Sequence, residues 1–135
     1  MKFIIELALE TAMRRSEIAN IRPEHFRGKT LKIVKAKIKP RTIPLTKRAQ
    51  ELLKFNLPIK KSANAILMCW KRLIKFYELE DAHFHDLRHL SLQRFFTVKK
   101  LSVPETMVIS GHLEPRTLLK VYANLKAEDL VHKLN

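Results

Sequence analysis

Glycine is almost missing from this sequence, with two among 135 residues. That scarcity disfavours a β-sandwich, which needs many tight turns. It also disfavours a glycine-rich loop around a nucleotide phosphate, and none is present. Cysteine occurs once, at Cys69, which leaves no intramolecular disulfide and no multi-cysteine zinc site. No apolar run reaches the roughly 18 residues of a membrane-spanning helix. The opening MKFIIELALET has one early lysine and an apolar run. Glu6 and Glu10 interrupt that run and no small-residue cleavage site follows, so it does not read as a signal peptide. These absences lead to the expectation of a cytoplasmic chain.

Acidic residues are also few, 13 against 27 lysines and arginines, for a net charge of +14. Such an imbalance attracts polyanions, nucleic acid first and an anionic membrane surface second. The hydrophobic fraction of 46% fits one folded domain with a core, and not a disordered basic tail.

Phe3, Ile4, Leu7 and Ala8 fall at helical spacing, so the chain begins in an amphipathic helix without a preceding cap. A start inside a core helix reads as the trimmed part of something longer. Residues 16–21 form a second short helix with Ser16 as its N-cap, ended by Pro23. TLKIVKAK then alternates Leu31, Ile33 and Val34 with lysines, and RTIPL extends again, which predicts a β-hairpin with a basic tip. Pro44 suits a strand end or an edge. Helical patterns resume over residues 46–55, 64–77, 85–97, 104–110, 116–121 and 127–134. The expected fold class is α+β, mostly α, with one small antiparallel hairpin or sheet.

Four stretches carry chemistry. In TAMRRSEI, Arg14 stands in a turn with Glu17 three residues on; read plainly, this is a helix cap and a routine ion pair. The hairpin tip holds Lys35, Lys37, Lys39 and Arg41, which read plainly as a solvated edge that blocks sheet aggregation. In HDLRH, His85, Arg88 and His89 share one helix face. Histidines four apart are also a metal-ligand spacing, but there is no HExxH glutamate and Arg88 would repel a cation. His89 reads as a structural histidine at a helix start. In ISGHLEPRTLLKVYANL, Gly111 ends one helix, His112 follows it, and Tyr122 lies ten residues on. A lone tyrosine is ordinarily a half-buried packing residue. Together, two arginines, a lysine and two histidines can surround one phosphate while a tyrosine attacks it. Arginine forks neutralise the non-bridging oxygens, the phenol loses its proton, and the leaving 5′ oxygen gains one.

With those residues assembled, the chain resembles the tyrosine site-specific recombinases, the phage-integrase family, over most of their catalytic domain. TAMRRSEIANI is similar to the family's first arginine box, with Ala12 where glycine is usual. KPRTIPLT resembles the segment after its lysine hairpin, HDLRH its His-x-x-Arg box, and SGHLEPRTLLKVYANLKAEDL its Gly-His-to-Tyr segment. RHLSLQRFF and SVPETMVISGH resemble most the shufflon-type DNA invertases and related phage integrases.

The resemblance implies a DNA breaking and rejoining enzyme working through a 3′-phosphotyrosine, without metal, nucleotide or other cofactor. It implies that Arg14 and Arg88 clamp the scissile phosphate, His85 assists proton transfer, His112 hydrogen-bonds a non-bridging oxygen and Tyr122 is the nucleophile. Glu17 would steady the arginine box, and Lys35, Lys39, Arg41 and Arg116 would bind DNA. The family's lysine usually stands five places before the PR arginine, which lands here on Ala36. Counting forward from the strand selects Lys37 as the general acid, with Lys35 in reserve. One extra residue separates His112 from Tyr122. A single catalytic domain over residues 1–135 is expected, truncated or miniature, without the N-terminal domain that closes a clamp on DNA. The expected partners are double-stranded DNA and further copies of the chain, met through the C-terminal segment. Two other readings stay open: a type IB topoisomerase-like relaxation of supercoils, and a non-catalytic DNA-binding remnant of the same fold.

Overall fold

The computed structural model describes residues 1–37, 39–123 and 126–134. Eight α-helices and a two-stranded antiparallel sheet follow one another among these residues. The first helix, α1, spans Lys2–Thr11 and buries Ile4, Leu7, Ala8 and Thr11, the stripe that a period near 3.6 requires. It ends at Ala12, which adopts a left-handed conformation (φ 57°) with no exposed surface. An L-residue with a Cβ is held there at a cost of roughly 1–2 kcal/mol.

Helix α2 covers Arg15–Ala19. Its N-cap position is Arg14, in extended backbone, and no side chain caps it. The expected Ser16 cap is therefore incorrect: Ser16 already lies inside the first turn and is exposed. The helix ends at Ala19 with Asn20 as its C-cap, ahead of the Pro23 expected to end it, and Pro23 instead opens a short 3-10 turn, Pro23–His25.

Strands β1 (Thr30–Ile33) and β2 (Arg41–Pro44) pair with Leu31 opposite Ile43 and Ile33 opposite Arg41. Leu31, Ile33 and Ile43 are buried while Lys32 and Thr42 are exposed, the period of two expected of a half-buried sheet. Residues 34–40 join the strands.

Helix α3 (Lys47–Asn56) is capped by Thr46, whose Oγ1 accepts from the Ala49 N–H at 3.1 Å. The same hydroxyl donates to Glu10 Oε2 at 2.7 Å, tying α3 to α1. Helix α4 (Ala63–Phe76) is capped by Ser62 in the same way. Helix α5 (His85–Thr97) packs against α1, α6 (Val103–Ser110) and α7 (Arg116–Tyr122). A Ser102–Glu105 capping box starts α6, and α8 is Ala127–Leu134. The predicted helix boundaries hold within one or two residues, and the mixed, mostly helical class is the observed one.

Thr46 and Ser16 separate a working cap from an expected one. Thr46→Ala should lower unfolding free energy by about 1–2 kcal/mol, whereas Ser16→Ala should stay within about 0.5 kcal/mol. Denaturant unfolding of the two variants checks this.

Candidate active site

The residues of α5 that face inward are Leu87, Arg88, Ser91, Leu92, Phe95 and Phe96, so Arg88 is a charged group within an apolar stripe. It is 3% exposed. Its guanidinium donates to the Ala12 carbonyl and, at 2.8 Å, to the Ser110 carbonyl. These carbonyls stand at the C-terminal ends of α1 and α6, where unpaired acceptors and the negative ends of two helix dipoles converge. Burial first, then the Arg14 charge, brings the Arg88 pKa down to about 10, with Glu17 pulling the other way. Arg88 is a cation at neutral pH.

Glu17 is the acid of this centre, and its side chain has no exposed surface. Oε1 accepts from Arg14 at 2.8 Å, and Oε2 accepts from Arg41 at 2.8 Å. Arg41 also donates through Nε to the Ile109 carbonyl at 2.8 Å. Arg41 was expected on an exposed basic tip; its side chain is instead 8% exposed and directed inward. The sequence held the signal for this, since Arg41 is two residues from buried Ile43 and opposite buried Ile33, and so shares their face.

His112 follows Gly111, whose φ is 78°. A Cβ on Gly111 would lie 2.9 Å from the Arg41 guanidinium, so glycine serves both the turn and the close approach. His112 Nδ1 is 2.7 Å from the hydroxyl of Ser110, a residue with no exposed surface that the sequence reading missed. Burial, then Arg88, Arg14, Arg41 and His85, pushes the His112 pKa down to about 4. The His85 pKa is lowered as well, by burial first, then His89, Arg88 and Arg14, against Asp86. His89 is exposed and meets His85 edge to face at 5.1 Å. Asp86 Oδ2 accepts from the His83 N–H at 2.7 Å, and Trp70 Nε1 donates to the Ala82 carbonyl at 3.1 Å; together they fix the approach to α5. A cleft of about 570 Å³ opens beside Arg14, His85 and Arg88, walled by Trp70 and Phe84.

Arg14, Glu17, His85, Arg88 and His112 are thus brought to one place. Three arginines, Arg14, Arg41 and Arg88, gather there around one carboxylate that pairs with the first two, an arrangement that favours an incoming anion over a cation. Tyr122, the last residue of α7, is 36% exposed and packs edge-on against Phe96 at 5.0 Å. Phe96 lies about two turns along α5 from Arg88. Lys35, Lys37 and Lys39 are exposed on the loop between the strands, and Arg116 is exposed at the start of α7.

A model of the phage integrase family matches residues 1–129. The chain belongs to the phage integrase family. Among curated relatives, a shufflon-specific DNA recombinase of Escherichia coli is 37% identical over 142 residues, covering 98% of this chain and 36% of that protein. A putative integrase/recombinase of Haemophilus influenzae is 32% identical over 129 residues, covering 87% and 42%. The chain therefore spans well under half the length of these two relatives. Solved structures share the fold. The Tn1549 transposon integrase in complex with a circular intermediate DNA superposes with a TM-score of 0.77 at 13% identity, covering 98% of this chain and 57% of that one. The catalytic domain of bacteriophage HP1 integrase gives 0.71 at 21%, covering 96% and 79%. A lambda integrase dimer bound to a core site gives 0.72 at 19%, covering 89% and 50%. Among the described residues no helix of this family member is long and apolar enough to cross a membrane.

The histidine environment predicts a pH dependence. Unfolded, His112 takes up a proton near 6.5; folded, it stays neutral down to about 4. Its contribution to stability is therefore complete above about pH 6.5 and is lost as pH falls through about 4. Denaturant unfolding at about pH 7.5 and about pH 4.5 should show a larger loss for the unaltered chain than for His112→Gln. Equal losses would mean that His112 is not held neutral.

Proposed function

We propose that this chain is a catalytic domain that breaks and rejoins DNA through a 3′-phosphotyrosine at Tyr122, serving site-specific recombination. The observation that carries this is the convergence of Arg14, His85 with Arg88, and His112 from three separate segments around one cationic locus, with one buried acid, Glu17, among them. Arg14 and Arg88 neutralise the non-bridging oxygens as charge develops on them. His112, neutral with Nδ1 against Ser110, offers Nε2–H to one of those oxygens when Nδ1 accepts from the hydroxyl. His85 assists proton transfer. The Tyr122 hydroxyl gives its proton to His85 as its oxygen bonds to phosphorus and the bond to the 5′ oxygen breaks, and that 5′ oxygen leaves with a proton supplied by Lys37. The phosphodiester is conserved in the protein–DNA bond, so a second 5′-hydroxyl restores it without a nucleotide cofactor. The arginines supply the charge neutralisation that a metal would otherwise give.

The exposed Lys35, Lys39 and Arg116 supply phosphate contacts that make binding salt-dependent. Leu130 and Leu134 on α8 are 38% and 85% exposed, which supports a C-terminal helix offered to a second copy on the same DNA. A suicide substrate, nicked so that the cut strand cannot religate, tests the central step. The unaltered chain should give a covalent adduct that survives chelator, and Tyr122→Phe should give none while binding DNA nearly as well. Supercoil relaxation without paired sites would favour the topoisomerase-like reading; binding with no adduct would leave a non-catalytic remnant.

Lys37 can be assigned by leaving-group chemistry. An alkoxide leaves badly unprotonated, so Lys37→Ala should cut cleavage by roughly 10²–10⁴-fold. DNA with sulfur in place of the bridging 5′ oxygen should restore it, because a thiolate leaves readily. Arg88→Ala should recover much less, since the non-bridging charge remains. Rescue of Lys35→Ala in place of Lys37→Ala would move the general acid to Lys35.

A further inference from the structure

Arg41 bears three bonds that no role in DNA contact explains. Its NH2 meets Glu17 Oε2 at 2.8 Å, its NH1 approaches Oε1 at 3.4 Å, and its Nε donates to the Ile109 carbonyl at 2.8 Å. Every nitrogen of the fork is engaged with the protein, and the side chain is 8% exposed. The bonds reach two different stations. Glu17 is the partner of Arg14, so one edge of Arg41 sets the carboxylate that orients a phosphate-clamping arginine. Ile109 lies three residues before His112, at the end of α6 where Gly111 leaves just enough room for the Arg41 guanidinium.

We propose that Arg41 is a positioning residue for strand cleavage. Through Glu17 and the Ile109 carbonyl it holds Arg14 and the His112 turn in register around the phosphate, without touching DNA itself. A lysine keeps the charge but cannot form the planar fork or reach both partners at once. Misplacement of the clamping groups by about 1 Å suffices for a roughly 10²-fold loss of rate. This rests on the function proposed above.

The test uses the whole chain with Arg41→Lys and Arg41→Gln, under conditions where circular dichroism shows them folded. Single-turnover cleavage should fall roughly 10–100-fold. DNA affinity and its salt slope should match the unaltered chain, and the sulfur-substituted DNA that rescues Lys37→Ala should give no rescue, because the defect lies in the charge clamp. Cleavage at the unaltered rate overturns the proposal, and so does a salt slope reduced by about one phosphate contact. Failure of both variants to fold also overturns it, leaving Arg41 a purely structural group. Should the unaltered chain itself form no adduct, the proposed function fails, and binding of inorganic phosphate followed by the His112 NMR signal decides Arg41 separately. A weakening of about tenfold in the variants supports the positioning role; unchanged affinity sinks it.

Discussion

The Glu17 side chain has no exposed surface, and its two oxygens are held between two arginines: Oε2 by Arg41, and Oε1 chiefly by Arg14 with a longer contact from Arg41. Much of the centre depends on that constraint. Arg14 comes from the corner between α1 and α2, Arg41 from the first residue of β2, and Arg88 from the first turns of α5. Guanidinium groups gathered from three segments repel one another, and the repulsion is strong where water is excluded. One buried acid between two of them turns a destabilising cluster into a joint linking the first helices to the hairpin. Removing a single partner from such an arrangement is far more costly than never having built it.

Arg88 is held by a different means. It faces no carboxylate directly, and its fork ends on the carbonyls of Ala12 and Ser110. Two helices terminate on one guanidinium, so the negative ends of α1 and α6 are neutralised by the group they orient. That geometry accounts for the left-handed turn at Ala12, which directs its carbonyl toward α5. It also explains why Gly111 follows Ser110 immediately: the α6 end must stop, turn and present His112 within two residues.

Much of this is legible in the sequence. HDLRH sits on a helix because its apolar partners recur at helical spacing, and the start at His85 is where the pattern begins. Gly111 marked a helix end for the same reason that it marks one here, a positive φ. What escaped was direction and partnership. Ser16 looked like a cap from residue type alone, but the backbone places Arg14 in the cap position. Arg41 was grouped with the exposed lysines by charge, although strand alternation put it on the face of Ile33 and Ile43. The Ser110 hydroxyl was invisible because its role depends on the turn that brings His112 back over it. The lysines at 35, 37 and 39 share exposure, and neither charge nor spacing orders them.

The excess positive charge around Arg88 has a consequence for how long the molecule lasts. Without a bound anion, the cluster holds cations against one another and disfavours the protonated form of two imidazoles. An anion in that place relieves both strains and binds the folded chain in preference to the unfolded one, so occupancy stabilises the fold by mass action. On the function proposed here, the molecule is least stable between substrates. Unfolding, and the proteolysis that follows it, then falls most heavily on copies that have left DNA, which ties the abundance of the protein to the supply of its sites.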